Sequence, residues 1–129
     1  MPYKVTFRPN RAGQTAAGNS ERVYRDLERR ADRVIALARA AAAEHYVTGD
    51  YDRGFRKERT RIRGQAAVRV VNVSGHGEIL EFGSRPHVIR ARNAQALFWE
   101  GADHPVKQVN HPGTPAYHFL RTALRAAGR

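Results

Sequence analysis

The longest regular pattern of the chain, residues 20–47, restricts the folds that are open to it. Apolar residues recur there every three or four positions, a spacing typical of an amphipathic helix. They are Val23, Leu27, Ala31, Val34, Ala38, Ala41 and Ala42, with Tyr24 and Ile35 beside them. Ser20 is a candidate N-cap, and Gly49 is suited to the left-handed conformation that ends a helix. In a chain of 129 residues, most other elements must pack against this helix.

The next segment predicts a β-hairpin over residues 53–73. Its first arm, residues 53–63, which we call the basic arm, has six basic residues and one acid. These are Arg53, Arg56, Lys57, Arg59, Arg61 and Arg63, with Glu58. Neither face of this arm is apolar, so it is expected to face solvent. Gly64-Gln65 is the expected turn. Residues 66–73, AAVRVVNV, are rich in β-branched residues and are the clearest strand of the chain.

Shorter patterns complete the order of elements. Residues 3–8 alternate apolar and polar side chains, as a half-buried strand does, and a Gly/Ala/Asn-rich linker follows up to residue 19. Residues 78–82 suit either one helical turn or a bent strand. Short strands are predicted at residues 87–91, 96–100 and 106–109, so that residues 78–110 form a strand-rich segment.

The last stretch predicts a closing helix over residues 114–127. Pro112-Gly113 is a strong turn pair, Thr114 is a candidate N-cap, and Pro115 suits the first helical position. The apolar face is expected to comprise Phe119, Leu120 and Leu124, together with Ala123. A helix this short is not stable alone, so it must dock on other elements.

This order of elements predicts a single α+β domain. Because βαβ units do not alternate along the chain, a parallel doubly wound fold is not expected. We expect one antiparallel β-sheet, built from residues 66–73, 87–91 and 96–100. The long N-terminal helix and the short C-terminal helix are expected to pack on one face of that sheet.

Composition favours a polyanionic or acidic partner. The net charge is +11, and twenty of the 23 basic residues are arginine. GC-rich coding explains a preference for Arg over Lys, but it does not explain the excess of positive charge. The chain has no cysteine, which excludes disulfides and thiolate metal sites. With no long apolar run and no signal peptide, a soluble intracellular product without membrane contact is expected.

No pattern of reactive residues predicts an enzyme. His76, His87, His104, His111 and His118 show none of the short metal-binding spacings. Ser74 and Ser84 are not in a nucleophile elbow, and the glycines around His76 do not form a phosphate-binding loop. We therefore predict no catalytic, cofactor-binding or metal-binding residue. The basic arm has two open interpretations: contact with phosphates or acidic partners, or a solvated edge strand protected by charge.

Five short motifs in the second half, in this order, resemble the neck and tail-completion family of long-tailed bacteriophages. They are Glu81-Phe82-Gly83-Ser84, Pro86-His87-Val88-Ile89, Ala96-Leu97-Phe98-Trp99, the segment from Val106 to Gly113, and the segment from Phe119 to Ala123. The long helix ending in Thr48-Gly49 also resembles the first half of that family. The resemblance covers residues 20–127.

The resemblance implies a structural virion protein of the head–tail connector, with no catalytic residues. It implies a homo-oligomeric ring, most simply of six copies with twelve as the alternative, between the portal-side proteins and the tail tube. Double-stranded DNA would pass through the channel near the basic arm. It also implies that the recurring motif residues shape turns at subunit contacts: Gly49, Glu81, Gly83, Pro86, His87, His111, Pro112 and Gly113. The alternative from composition is a small nucleic-acid-binding protein that contacts phosphates without reading sequence.

Overall fold

A computed structural model describes residues 2–45 and 48–128 of the chain. The long helix, α2, spans Glu21–Ala42 and continues as one 3₁₀ turn, Ala43–His45, whereas the predicted end at residues 46–47 lies outside the described residues. Its buried residues lie on one face, at Ala31, Val34, Ile35, Ala38 and Ala42, as predicted, whereas Ala41 is exposed. Ser20 occupies the N-cap position without a side-chain capping bond.

The N-terminal region differs from its prediction. Residues 2–10 form no strand, and the predicted linker contains a helix, α1, over Arg11–Gly18. Asn10 caps this helix, since its side-chain oxygen accepts a hydrogen bond from the Gly13 amide at 2.9 Å. The alanines of this segment favour helix, and a strand needs a neighbouring edge that this region does not find within the described chain.

The β-hairpin is confirmed and is shifted by about one residue. Strand β1 spans Phe55–Ile62 and strand β2 spans Gln65–Asn72, paired antiparallel from Phe55↔Asn72 to Ile62↔Gln65. The turn lies at Arg63 and Gly64, which both have positive φ angles, 52° and 77°. Two such residues in succession are typical of a type I′ turn, which matches the twist of the strands. A short helix, α3 (Asp50–Arg53), precedes the hairpin. Gly49 has the expected positive φ angle, 80°, but it is the N-cap of α3 and not the residue that ends α2.

The second half forms a separate small sheet. Helix α4 spans Gly77–Phe82, which decides between the two structures considered for this segment. Strand β3 (His87–Arg90) pairs antiparallel with strand β4 (Gln108–His111). The predicted strand at residues 96–100 is wrong: only Leu97 makes an isolated bridge, to Val106. High β-propensity did not suffice there, because Phe98 and Trp99 lack a strand edge to pair with and remain exposed.

The closing helix, α5, spans Phe119–Ala127 and begins later than predicted. Thr114 is not its N-cap and Pro115 is not its first residue, because Thr114 forms a bridge with Ser84 instead. Helix α5 packs mainly on α2 rather than on a sheet. Phe119 and Ala123 are buried and Leu120 is half-buried, but Leu124 is 65% exposed, so its predicted packing role is wrong.

The core lies where α2, α5 and the base of the hairpin meet. Its buried members are Val34, Ile35, Ala38, Phe55 and Ala123. The small side chains of Ala38 and Ala123 allow the two helices to approach closely. The protein therefore belongs to the α+β class, and its described residues form two two-stranded antiparallel sheets instead of the single sheet expected. No helix in the described residues is both long and apolar enough to span a bilayer.

Candidate functional site

The basic arm packs one of its two faces toward α2. Lys57 Nζ lies 2.7 Å from Asp32 Oδ1, and Arg59 reaches two further acids of the same helix. Glu21, Glu28 and Asp32 are spaced by seven and four residues, which places them on one face of α2. The spacing of these three acids on α2 is the sequence signal that could have predicted the contact. It indicates that the side of the basic arm with the odd-numbered residues forms ion pairs with α2.

Arg59 is the centre of this contact. Its guanidinium donates hydrogen bonds to both carboxylate oxygens of Glu21, at 2.7 and 2.9 Å, and to both of Glu28, at 2.8 and 3.0 Å. It also lies over the ring of Tyr24, 5.0 Å from the ring centroid, and the Tyr24 hydroxyl donates to the Thr60 carbonyl at 3.1 Å. These hydrogen bonds from Arg59 hold the pKa of Glu21 and of Glu28 below the ordinary value.

Two basic residues at the base of the arm also have partners within the chain. Arg53 Nη2 lies 2.6 Å from Asp50 Oδ1. Hydrogen bonds to Asp50 from the Thr48 hydroxyl and from Arg53 lower the pKa of this carboxyl. Arg56 donates to the carbonyls of Arg53 and Phe55, at 2.7 and 2.8 Å. The base of the arm is therefore held by its own local hydrogen bonds.

The hairpin tip differs from the rest of the arm. Arg61 and Arg63 are exposed, and neither makes an ion pair with any other described residue. Arg11 and Gln14 of α1 line a shared cleft with Arg63, so the basic charge of α1 adds to that of the tip. Of the six residues predicted to contact DNA or a partner, Arg61 and Arg63 keep their charges most available.

The motif residues of the second half meet at a second place, where residues 83–84 cross residues 113–114. The Ser84 amide donates to the Thr114 carbonyl at 2.9 Å, and the Thr114 amide donates to the Ser84 carbonyl at 3.1 Å. We call this crossing the Ser84–Thr114 joint. Gly83 and Gly113 flank it with φ angles of 76° and 90°. A Cβ on Gly83 would lie 2.7 Å from the Thr114 carbonyl oxygen, so both sequence positions require glycine.

Glu81 links the joint to α5. Its carboxylate is nearly buried, and its two oxygens accept hydrogen bonds from the amides of Leu120 and Arg121, at 3.0 and 3.1 Å. These amides belong to the first turn of α5, where backbone N–H groups have no hydrogen-bond acceptor within the helix. Glu81 therefore caps α5 from a distance in sequence of about forty residues, a role that the motif pattern alone did not reveal.

The two histidines of the motifs pair across the second sheet. His87 and His111 are directly opposite in β3 and β4, and their rings stack with centroids 5.0 Å apart. His111 Nδ1 accepts a hydrogen bond from the Gly113 amide at 3.0 Å, and His87 Nδ1 lies 2.8 Å from the Arg85 carbonyl. Both residues thus fix turns next to the joint, and Pro86 and Pro112 lie in these same turns. In the described residues no group of histidines and acids could hold a metal ion.

A cavity of about 370 Å³ opens beside the end of α2 and is lined in part by His45, Asp50, Tyr51 and His76. Burial raises the pKa of Tyr51 to about 12, with a smaller effect from the charge of Glu81, so the phenol stays protonated at neutral pH. Asp50 is already hydrogen-bonded to Thr48 and Arg53. These groups stabilise the local structure and do not form a nucleophile–base arrangement.

No protein-family model, curated protein or solved structure matches this chain.

Proposed function

We propose that the chain is a structural virion protein of a phage head–tail connector, forming a ring that joins the portal-side complex to the tail tube. Its five motifs occur in the order of the neck and tail-completion family. The observation that carries the proposal is the Ser84–Thr114 joint, because it gives the recurring glycine, proline and histidine positions a shared structural reason. Glycine, proline and histidine residues that shape turns are typical of an assembly component. The described residues show no catalytic arrangement that would favour an enzyme instead.

The ring proposal includes specific partners. Six copies are the simplest stoichiometry and twelve is the alternative, with the neighbouring connector, head-completion and tail-tube proteins above and below and DNA in the channel. The protein would be made in the host cytoplasm and end in the virion neck. The purified chain is expected to be monomeric or weakly associating and to form defined rings only with these neighbours.

Electron microscopy of particles made without this protein tests the proposal. We expect filled or partly filled heads that lack attached tails, together with free tails. A plasmid copy of the wild-type gene should restore tailed particles. Normally tailed particles in the absence of the protein would contradict the connector function, whatever the behaviour of the purified chain.

A second candidate function is non-specific binding of duplex nucleic acid, which the exposed Arg61 and Arg63 at the hairpin tip favour. It predicts that isolated protein binds duplex DNA with an affinity that falls steeply as salt rises. The double variant Arg61→Gln/Arg63→Gln should weaken binding and reduce the salt slope by about two. The matched variant Arg22→Gln/Arg33→Gln, on exposed positions of α2, should change binding less. Absence of binding at physiological salt would eliminate this function.

A further inference from the structure

Residues 3–8, which we call the N-terminal arm, have the pattern of a strand but no sheet. Tyr3, Val5 and Phe7 alternate with Lys4, Thr6 and Arg8. The arm pairs with no strand in the described part of the chain, and Tyr3, Val5 and Phe7 are 95%, 89% and 82% exposed. Isolated surface hydrophobics need no explanation, but three on one side of a six-residue segment form a continuous apolar edge.

Strand β2 has an edge that matches the arm. One edge of β2 pairs with β1, and the other pairs with no described strand. Val68 and Val70 lie opposite Arg59 and Lys57, the residues that face α2. Because directly opposite residues share a face, β2 presents the apolar row Ala66, Val68 and Val70 on its α2 side. A strand added here would place Tyr3, Val5 and Phe7 next to that row.

The β1 edge fits the arm less well. A strand added there would place the apolar residues of the arm beside the charged row Lys57, Arg59 and Arg61 on the α2 side of β1. The basic residues Lys4 and Arg8 would lie on the same side as Arg56. Like charges on adjacent strands are destabilising. The outward side of β2 carries Arg69 as its one charged residue, between Ala67 and Val71. The charge pattern therefore selects the β2 edge.

We propose that the N-terminal arm adds as a third strand to the β2 edge of a second copy of this chain. The chain contains both the donor segment and the acceptor edge, and neither is used within one copy. Both remain unused even though helix α1, which directly follows the arm, lies close to β2, and its C-cap Asn19 donates a hydrogen bond to the Gly64 carbonyl at 3.0 Å. A two-stranded hairpin is marginal in water, and a third strand buries apolar area and satisfies the open edge.

Donation from one copy to the next is a head-to-tail contact, which forms a ring when the rotation closes. The arm would thus form the contact between copies in the ring proposed above. Only the expectation that the ring closes rests on the proposed connector function. Two copies of charge +11 repel each other at low salt. Association through the arm should therefore strengthen as salt rises, opposite to the behaviour of DNA binding.

Disulfide trapping between single-cysteine variants tests the contact directly, because the natural chain has no cysteine. Thr6→Cys protein is mixed with Ala67→Cys, Arg69→Cys or Val71→Cys protein, which sample the outward face of β2 at neighbouring registers. We expect a cross-linked heterodimer with at least one acceptor at high protein concentration, and several-fold less with Glu58→Cys on β1. Equal yields for β1 and β2 acceptors, or no cross-link with any β2 acceptor, would overturn the proposal.

A matched pair of arm variants separates this contact from charge alone. Val5→Asp and Thr6→Asp each add one negative charge, but only Val5 lies on the apolar side of the arm. At high protein concentration and raised salt, Val5→Asp should abolish the weak association that sedimentation detects for the purified chain, and Thr6→Asp should retain it, with unchanged helical circular dichroism for both. Rings that form equally well with Val5→Asp in the presence of the neighbouring connector and tail-tube proteins would overturn the arm contact and leave the connector function standing. Normally tailed particles without the protein would contradict the connector function even if the arm cross-links.

Discussion

The outer half of the hairpin and helix α5 both pack against α2, but different forces hold them there. The hairpin contact depends on exposed ion pairs, Lys57 with Asp32 and Arg59 with Glu21 and Glu28. Helix α5 is held by buried apolar groups, above all Phe119. Exposed ion pairs contribute little, whereas burying a large side chain contributes about 1.5–3 kcal/mol.

This difference separates the residues that carry charge from the residues that carry stability. The basic arm dominates the sequence, yet most of the free energy of unfolding must come from the α2–α5 contact and from Phe55 at the base of the hairpin. Charges at the hairpin tip can therefore be changed without unfolding the protein. The variants below test that separation, in order from the largest expected change in stability to the smallest.

The largest effect is expected at the α2–α5 contact. Phe119→Ala removes a buried ring and should lower the free energy of unfolding by about 3–5 kcal/mol. Leu124→Ala, five residues later in the same helix, removes an exposed side chain and should change the free energy of unfolding by no more than about 0.5 kcal/mol. Urea denaturation followed by circular dichroism measures both. Similar losses for the two variants would mean that α5 presents a different face to α2.

The next effect is expected at the Ser84–Thr114 joint. Gly113 and Gly101 have the same φ angle, 90°. A Cβ on Gly113 would overlap the Ser84 carbonyl oxygen, whereas a Cβ on Gly101 would meet nothing within 4 Å. Gly101→Ala should cost about 1 kcal/mol from backbone strain alone, and Gly113→Ala about 3 kcal/mol. Thermal unfolding measures the loss of stability in the two variants. Equal losses would show that the Ser84–Thr114 joint can accommodate a Cβ at Gly113 without further destabilisation.

Local patterns predicted the elements that local interactions decide. The stripe of α2 buries its side chains in the expected period, the β-branched run of β2 forms a strand, and the turn residue Gly64 was identified within one position. These features depend mainly on residues nearby in the sequence. The class of the fold followed from their order.

Features that depend on distant residues were not predictable from the pattern. The start of α5 is set by Glu81 and by the Ser84–Thr114 joint, about thirty to forty residues away. Leu124 was misassigned because the apolar stripe of α5 is wider than its contact with α2, which centres on Phe119 and Ala123. At the candidate site, the charge of the basic arm was evident, but its pairing with α2 depends on which face of the hairpin packs inward.

A smaller effect is expected where charge and helix capping combine. Glu81→Gln keeps the shape of the side chain but replaces a carboxylate that accepts from two amides of α5 with a neutral amide. It should lower the free energy of unfolding by about 1–2 kcal/mol. Glu78→Gln, exposed on the same short helix, is the control and should be nearly neutral. Amide hydrogen exchange at Leu120 and Arg121 should accelerate only in the Glu81 variant, and unchanged exchange there would exclude the cap.

The smallest effect is expected at Arg59, and pH separates it from the others. The folded pKa values of Glu21 and Glu28 are lowered, chiefly by hydrogen bonds from Arg59. Below the unfolded value of about 4.3 the unfolded chain then binds more protons than the folded chain. The contribution of these pairs is therefore complete above that pH and is lost as pH falls through the folded values.

The urea midpoint of wild-type protein should accordingly fall more steeply on acidification below about pH 4.3 than that of Arg59→Gln, which lacks the pairs. Arg61→Gln removes an equal charge from the same strand without breaking a described ion pair, so it should keep the wild-type pH dependence. Because the pairs are exposed, the Arg59 difference should also shrink at high salt. If Arg59→Gln and Arg61→Gln show the same pH dependence, the outer hairpin is not held on α2 by these carboxylates, and Arg59 becomes as available to a partner as the residues of the tip.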